Sequence, residues 1–548
     1  MSDGSFVSEG AGTLRFDSAP VTGEAETRTL PTGEVPGRPT EPTTVLDGQR
    51  PAGDTRGLTK SKSHRGVVAA IVAVAVLALA ATTYLYLPRG KSTDAKNSIA
   101  VLPFQNASGD PDMEYLSDGI SENIINSLSQ LSNVRVMART TMFSFKGKDA
   151  DPRAVGRQLG VEAVLTGRVV QRGDALTIQA DLVSVSDGSQ MWGEQYARKL
   201  TDLVALQGEI ARDVSNKLRV KLSGADEQKL AKNYTANPDA YQSYMKGLFY
   251  RNKFTLKDTE HSVRYFQQAT VADPSFTLAF AGLADSYVTL ALFEGGAPAR
   301  EVMPKARDAA LKALTHDGGS GEAHAALGYV RLFYDYDFAG AEREFKRALE
   351  LSPTSGVLHV RLSQLLNYLG RHDESLAEMR RALEIDPLSL IANRGYGERL
   401  IDARRYDEAI VQLRKTLELD GNFALAYSSL ASAYQAQGDY AASVGAIAKA
   451  YELTGRQEYA ALARESFAKG GWQSYLRAMM ERRPESWAYT RAAYHAALGE
   501  KDEALAELDK SYENREPFLI RLKVDTRLDP LRSDPRFADL MRKVGLPQ

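Results

Sequence analysis

TSGVLHVRLSQLLNYLGRHDESLAEMRRALEIDP (354–387), LSLIANRGYGERLIDARRYDEAIVQLRKTLELDG (388–421) and NFALAYSSLASAYQAQGDYAASVGAIAKAYELTG (422–455) follow one another without a gap. Each ends on a helix breaker, and Pro353, Pro387, Gly421 and Gly455 recur every 34 residues. Between breakers each stretch reads as helix, short turn, helix. Two such helices cannot bury their apolar sides alone, so neighbouring pairs have to stack into a solenoid. Leu362, Tyr396, Leu430, Leu413 and Ile447 fill the space between helices, while the small Gly397, Ala431, Ala382 and Ala450 stand where two helices approach closely.

This pattern resembles the tetratricopeptide repeat, with Gly421 and Gly455 in place of the repeat's terminal proline. Running the register backwards yields SGEAHAALGYVRLFYDYDFAGAEREFKRALELSP (320–353), with one extra residue in its turn, and earlier copies at 238–273 and 274–317. The second of these carries an insertion around FEGGAPAREVM (293–303). Beyond 455 the period weakens; residues 485–517, with Tyr489, Ala493, Ala504 and Leu508, read as a further copy. The repeat region is thus expected over 238–517, followed by a capping segment at 518–548 that spares the last repeat an exposed apolar face. The resemblance implies a concave groove that binds a protein or peptide. It also implies that the first helix of each pair offers the contacts, here Arg361, Gln364, Asn367, Arg394, Glu398, Ser432 and Gln435.

Outward from the repeats on the amino-terminal side lies a segment of different character, 97–223. SIAVLPF (98–104) reads as a buried strand, and Leu116, Ile120, Ile124, Leu128 and Leu131 make one face of a helix over 113–131. NVRVM (133–137) reads as a second strand, and Pro152 opens a short helix that Gly160 ends. VEAVLTGRVVQ (161–171) and ALTIQADLVSV (175–185), separated by a turn at Gly173-Asp174, form a hairpin. Asp187-Gly188 starts another turn leading into SQMWGEQYARK, and an amphipathic helix closes the segment at 201–222. The expectation is a small α/β domain with a mixed sheet. Through 98–218 the segment resembles the TolB amino-terminal-like domain, a likeness that implies a fold and no catalytic residue.

Residues 1–65 are rich in Gly, Pro, Thr, Ser, Asp and Glu without apolar periodicity, and read as a disordered tail in which Thr29, Thr43 and Thr44 are candidate phosphorylation sites. GVVAAIVAVAVLALAATTYLYL (66–87) carries no charge, and its helical length of about 33 Å suits one transmembrane helix. Tyr84 and Tyr86 stand where the headgroup layer would be. Arg50, Arg56, Lys60, Lys62 and Arg65 precede the span, against Arg89, Lys91 and Lys96 after it. This bias favours a cytoplasmic amino terminus, a single-pass inner-membrane location, and carboxyl-terminal domains in the periplasm or otherwise outside the cytoplasm.

Across the 548 residues, 68 Lys and Arg face 70 Asp and Glu, so no net field recruits nucleic acid. With no cysteine there is neither a disulfide framework nor a thiolate metal site. Gly147-Lys148 has Met142 where a phosphate loop needs its first glycine, Gly395 and Gly397 make half a dinucleotide fingerprint inside a repeat helix, and the seven histidines are scattered. Asp337-Phe338-Ala339 and Arg371-His372-Asp373 are turns rather than kinase motifs. No catalytic residue, cofactor or metal is therefore expected. The whole layout resembles the carboxyl-terminal half of bacterial membrane serine/threonine kinases, yet residues 1–65 lack a Gly-rich loop, a strand lysine and a catalytic Asp. They are equally unlike a winged-helix DNA-binding head. The expected function is a membrane-anchored, non-enzymatic scaffold or sensor that binds protein partners. The alternative is the sensory half of a serine/threonine kinase system whose kinase is a separate chain. The oligomeric state stays open.

Overall fold

The computed structural model describes residues 97–548, apart from 132, 149, 219, 221, 225, 228–234, 294, 484–486 and 548. The expected tail (1–65) and apolar span (66–87) lie outside the described residues. Among the described residues no helix is long and apolar enough to cross a membrane.

The α/β domain runs β1 (Ser98–Val101), β2 (Gln105–Asn106), α1 (Glu114–Ser129), β3 (Arg135–Val136), α2 (Arg139–Phe143), α3 (Pro152–Leu159), β4 (Ala163–Arg172), β5 (Ala175–Ser184), β6 (Gln190–Lys199) and α4 (Leu203–Lys217). Its mixed sheet has the order β3-β1-β4-β5-β6, with β2 parallel to the far end of β4. β1 is parallel to both neighbours, and β4, β5 and β6 are antiparallel. The strand expected at 98–104 stops at Val101. Pro103 has no N–H to give the ladder, and pairing resumes for two residues after it. Helix α3 starts on an Asp151 cap with Pro152 behind it and ends at Gly160, φ 61°. SQMWGEQYARK, to which the sequence assigns no element, contains the ten-residue strand β6. The closing helix ends at Lys217, short of the expected 222.

The helical part stacks antiparallel pairs: α5 (Pro238–Arg251) and α6 (Leu256–Ala272), α7 (Thr277–Leu292) and α8 (Ala299–His316), α9 (Gly321–Val330) and α10 (Phe338–Leu351). They continue as α11 (Gly356–Tyr368) and α12 (His372–Ile385), α13 (Leu390–Asp402) and α14 (Tyr406–Leu419), α15 (Ala424–Gln437) and α16 (Tyr440–Leu453). α17 (Gln457–Glu481) is two helices meeting at Gly470 and Gly471, where φ turns to 64°. The array ends with α18 (Ala488–Leu498) and α19 (Lys501–Glu513). Close approach is real at Gly397, where a Cβ would lie 2.6 Å from Leu413.

After α19 come two 3-10 turns, Pro517–Arg521 and Thr526–Leu531, and α20 (Pro535–Val544). This segment covers α18 and α19 and also folds back onto the middle repeats. Its Leu519, Ile520, Leu522, Leu528, Leu531 and Phe537 belong to the same buried core as the sheet and the first three helix pairs. Arg404 between α13 and α14 holds Asp529 through two bonds of 2.6 and 2.8 Å. Arg515 donates to the Tyr334 carbonyl at 3.2 Å.

Candidate functional site

The first helices of the pairs carry a chain of polar side chains that begins in the α/β domain. Asp118 and Glu122 are charges one turn apart among the buried residues of α1. Glu122 accepts from Arg139 and from Asn252, each at 2.8 Å, and pairs with Arg251 at 3.3 Å. Beside it Tyr241 accepts from Asn123 at 2.7 Å and donates to Gln207 of α4. Burial raises the Tyr241 hydroxyl far above its ordinary range, so it acts as a neutral bridge between α1, α4 and α5. Two loops of the solenoid also reach the domain: Thr354 donates to the Ser129 carbonyl at 2.9 Å, and Asp386 accepts from both Thr141 and Thr140. The α/β domain is therefore bound at the first helix and again at the turns after α10 and α12.

Further along the first helices, Arg361 of α11 pairs with Asp285 of α7 at 2.7 Å and lies over the Tyr329 ring, 4.5 Å from its centre. Burial pushes the Asp285 carboxyl up, but Arg361 and Arg251 outweigh it and hold the group below the usual carboxylate range. Tyr329 donates to Gln364 at 3.1 Å, and Gln364 donates to Tyr368 at 3.0 Å. Asn367 is fully buried and donates to Asp402 at 2.6 Å. Asp402 also faces Arg399 at 3.7 Å and Arg521 of the carboxyl-terminal segment at 3.5 Å. Burial raises its carboxyl despite these two cations. Past it, Asp525 takes both Arg527, at 2.6 Å, and the Tyr489 hydroxyl, at 2.9 Å.

Arg394 and Glu398 form a half-buried pair on α13 at 2.7 Å, and Glu398 accepts from Ser429 of α15 at 3.0 Å. Ser432 is exposed, its hydroxyl resting on the Ser428 carbonyl at 3.3 Å, and Gln435 is half-exposed one turn on. The seven groove residues thus fall into two groups. Arg361, Gln364, Asn367, Arg394 and Glu398 are already bonded within the chain, whereas Ser432 and Gln435 of α15 face outward from the network. Sequence reasoning missed Asp285 and Asp402, which engage Arg361 and Asn367, Arg521 beside Asp402, and Glu122 at the junction with the α/β domain. A signal for Glu122 was present, because a charge on the buried side of an amphipathic helix needs a partner. Among the described residues no three His, Asp or Glu side chains gather to hold a metal.

Known proteins share parts of this architecture. Residues 95–229 match the second domain of HilA/YgeH-like transcriptional regulators, and residues 358–387 match the tetratricopeptide repeat. A "putative adenylate cyclase 3" of Rhizobium meliloti (strain 1021) is 34% identical over 233 residues, which are 42% of this chain and 40% of that protein. The chain thus spans well under half the length of this curated relative. Two solved structures are similar to parts of the helical array. YrrB, a tetratricopeptide-repeat protein with an unusual peptide-binding site, is 20% identical over 36% of this chain and 97% of its own, at a TM-score of 0.25. A thermophilic tetratricopeptide-repeat protein of Thermus thermophilus, TTC0263, is 19% identical over 36% of this chain and 99% of its own, at 0.31. Residues 358–387 are thus matched as a tetratricopeptide repeat, and they lie within helix pairs that stack as a helical solenoid, with a small mixed-sheet domain bonded to its first helix.

Proposed function

We propose that this chain is a non-enzymatic, membrane-anchored scaffold or sensor that docks a protein partner on the first helices of its later repeats. The carrying observation is the division among the polar side chains of the first helices. From α7 to α13 the polar groups answer one another, and a buried charge already paired and hydrogen-bonded has little to offer a ligand. Ser432 and Gln435 on α15 keep free polar capacity next to the half-buried Arg394–Glu398 pair, and this supports a docking surface there. Residues 66–87 supply the anchor in this reading, with the repeats outside the cytoplasm. The TolB-like resemblance of 98–218 fits an envelope-facing domain.

A second reading is favoured by the similarity to a putative adenylate cyclase and to a domain of transcriptional regulators: the chain is the sensory half of a signalling system whose output is carried by a separate chain, such as a kinase acting on Thr29, Thr43 and Thr44. Proximity labelling from the carboxyl terminus of the full chain, combined with a topology reporter fused there, tests both. Ser432→Arg together with Gln435→Glu is expected to lower capture of the labelled partner at least tenfold without changing the circular dichroism spectrum. Undiminished capture would remove α15 from the docking surface. Nucleotide cyclisation by the purified chain alone would overturn the non-enzymatic reading.

A further inference from the structure

The sheet has two edges of very different kind. β3, at one end, is two residues long. β6, at the other, runs for ten residues and, among the described residues, pairs with β5 along one side only. Alternate residues of such a strand turn N–H and C=O to the open side. Among the described residues the Ala197 carbonyl, for one, accepts there from the guanidinium of the adjacent Arg198 alone, at 3.1 Å. Trp192 and Tyr196 are buried on one face of the strand, Tyr196 donating to Asp213 of α4 at 2.7 Å, while Met191 and residues 193–195 and 197–199 are exposed. No proline interrupts β6, its register with β5 is unbroken from Trp192 to Lys199 with one bulge beyond at Met191, and an edge of this length is a template for another strand.

We propose that β6 pairs with β6 of a second copy of this chain, antiparallel about a two-fold axis at Tyr196, joining two sheets into one. The charges select both the occupant and the register. Centred on Tyr196, Glu194 of each copy lies opposite Arg198 of the other, so one symmetric contact makes two opposite-charge pairs. Gln195 then lies opposite Ala197. Moving the centre to residue 194 sets Glu194 against Glu194, and moving it to 198 sets Arg198 against Arg198, both unfavourable. Centring on 195 places Trp192 opposite Arg198 and leaves Glu194 without a cation. Arg198 can be recruited because its present partner, Glu209 at 3.2 Å, forms an ion pair that is 42% exposed on both sides. A two-fold pairing of this type closes on itself and removes both edges at once.

The absence of native cysteine makes the register directly measurable on the full chain in mild detergent. In a dimer with this pairing, spin labels on Met191→Cys, which stands in the bulge, are separated by about nine residue rises, about 31 Å along the strands, and labels on Lys199→Cys by six rises, about 20 Å. Glu194→Arg is expected to weaken dimerisation about tenfold, and Glu194→Arg combined with Arg198→Glu to restore it. A chain that stays monomeric at all concentrations, a dimer with other label distances, or a double variant no better than the single one would each overturn the proposal. Dimerisation through the apolar 66–87 segment would show itself by the wrong distances.

Discussion

Tyr336, Gly370, Arg404 and Gly438 stand 34 residues apart, each in the turn between the two helices of a pair, and each has a positive φ, 59°, 78°, 62° and 81°. Glycine takes that conformation freely, whereas a side chain there costs about 1 kcal/mol or more. The two positions that bear that cost are bound to the carboxyl-terminal region. Tyr336 stacks with Tyr512 and lies under the Arg515 guanidinium, and Arg404 grips Asp529. Strain at these residues is thus coupled to closure of the array. Arg404→Ala keeps the strained backbone and loses an exposed ion pair, so it is expected to destabilise by about 0.5–1 kcal/mol. Arg404→Gly loses the same pair but relieves the strain, and its urea midpoint is expected to equal or exceed that of the wild type. The turn itself was legible in the 34-residue register. The use of its side chain was not, because Asp529 is 125 residues away.

Among elements, the second helices lean on the first through a polar rung that repeats with the array. His324 meets Glu344 and His359 meets Glu378, each at 2.6 Å, and Gln412 donates to Asn393 at 2.8 Å. The apolar contact between helices is as regular, and two glycines separate its requirements. Gly397 has Leu413 against it, so Gly397→Ala is expected to cost about 1–3 kcal/mol through overpacking, in spite of alanine's better helix propensity. Gly445, inside α16, has nothing within 4 Å of an added Cβ. Gly445→Ala is expected to stabilise by about 0.5–1 kcal/mol, since only propensity changes. Thermal or urea unfolding of the two variants side by side gives opposite signs if helix packing is as described. Helical periodicity was readable because it rests on residues three and four apart. β6 escaped because its buried residues, Trp192 and Tyr196, are four apart, and its intervening positions are exposed on both faces.

On the scale of the whole molecule, the mixed-sheet domain and the solenoid are joined at a buried carboxylate. Burial raises Asp386 above the usual carboxylate range, with the Thr141 and Thr140 hydroxyls pulling the other way. A carboxyl raised in the folded state binds its proton more tightly there than in the unfolded chain, so its charged form costs stability at neutral pH and the cost fades on acidification. Asp285 and Glu398, whose folded values are lowered once their arginines outweigh burial, have the opposite sign: their stabilisation is complete above the unfolded carboxylate pKa and is lost as pH falls through the folded one. Asp386→Asn keeps the shape without the charge. It is expected to be more stable than the wild type at pH 7, with an advantage that shrinks toward pH 5, as read from urea midpoints at the two values. The sequence by itself determined the helix pairs, their 34-residue period, the hairpin and the small residues at close approaches, because each depends on neighbours within a few positions or one repeat. Only the tertiary structure decided which groove residues remain open. Arg361 is taken by Asp285, 76 residues earlier, Asn367 by Asp402, and the middle repeats by the carboxyl-terminal segment. Such pairings follow from the small rotation each repeat adds to the last, and that sum is a property of the assembled superhelix.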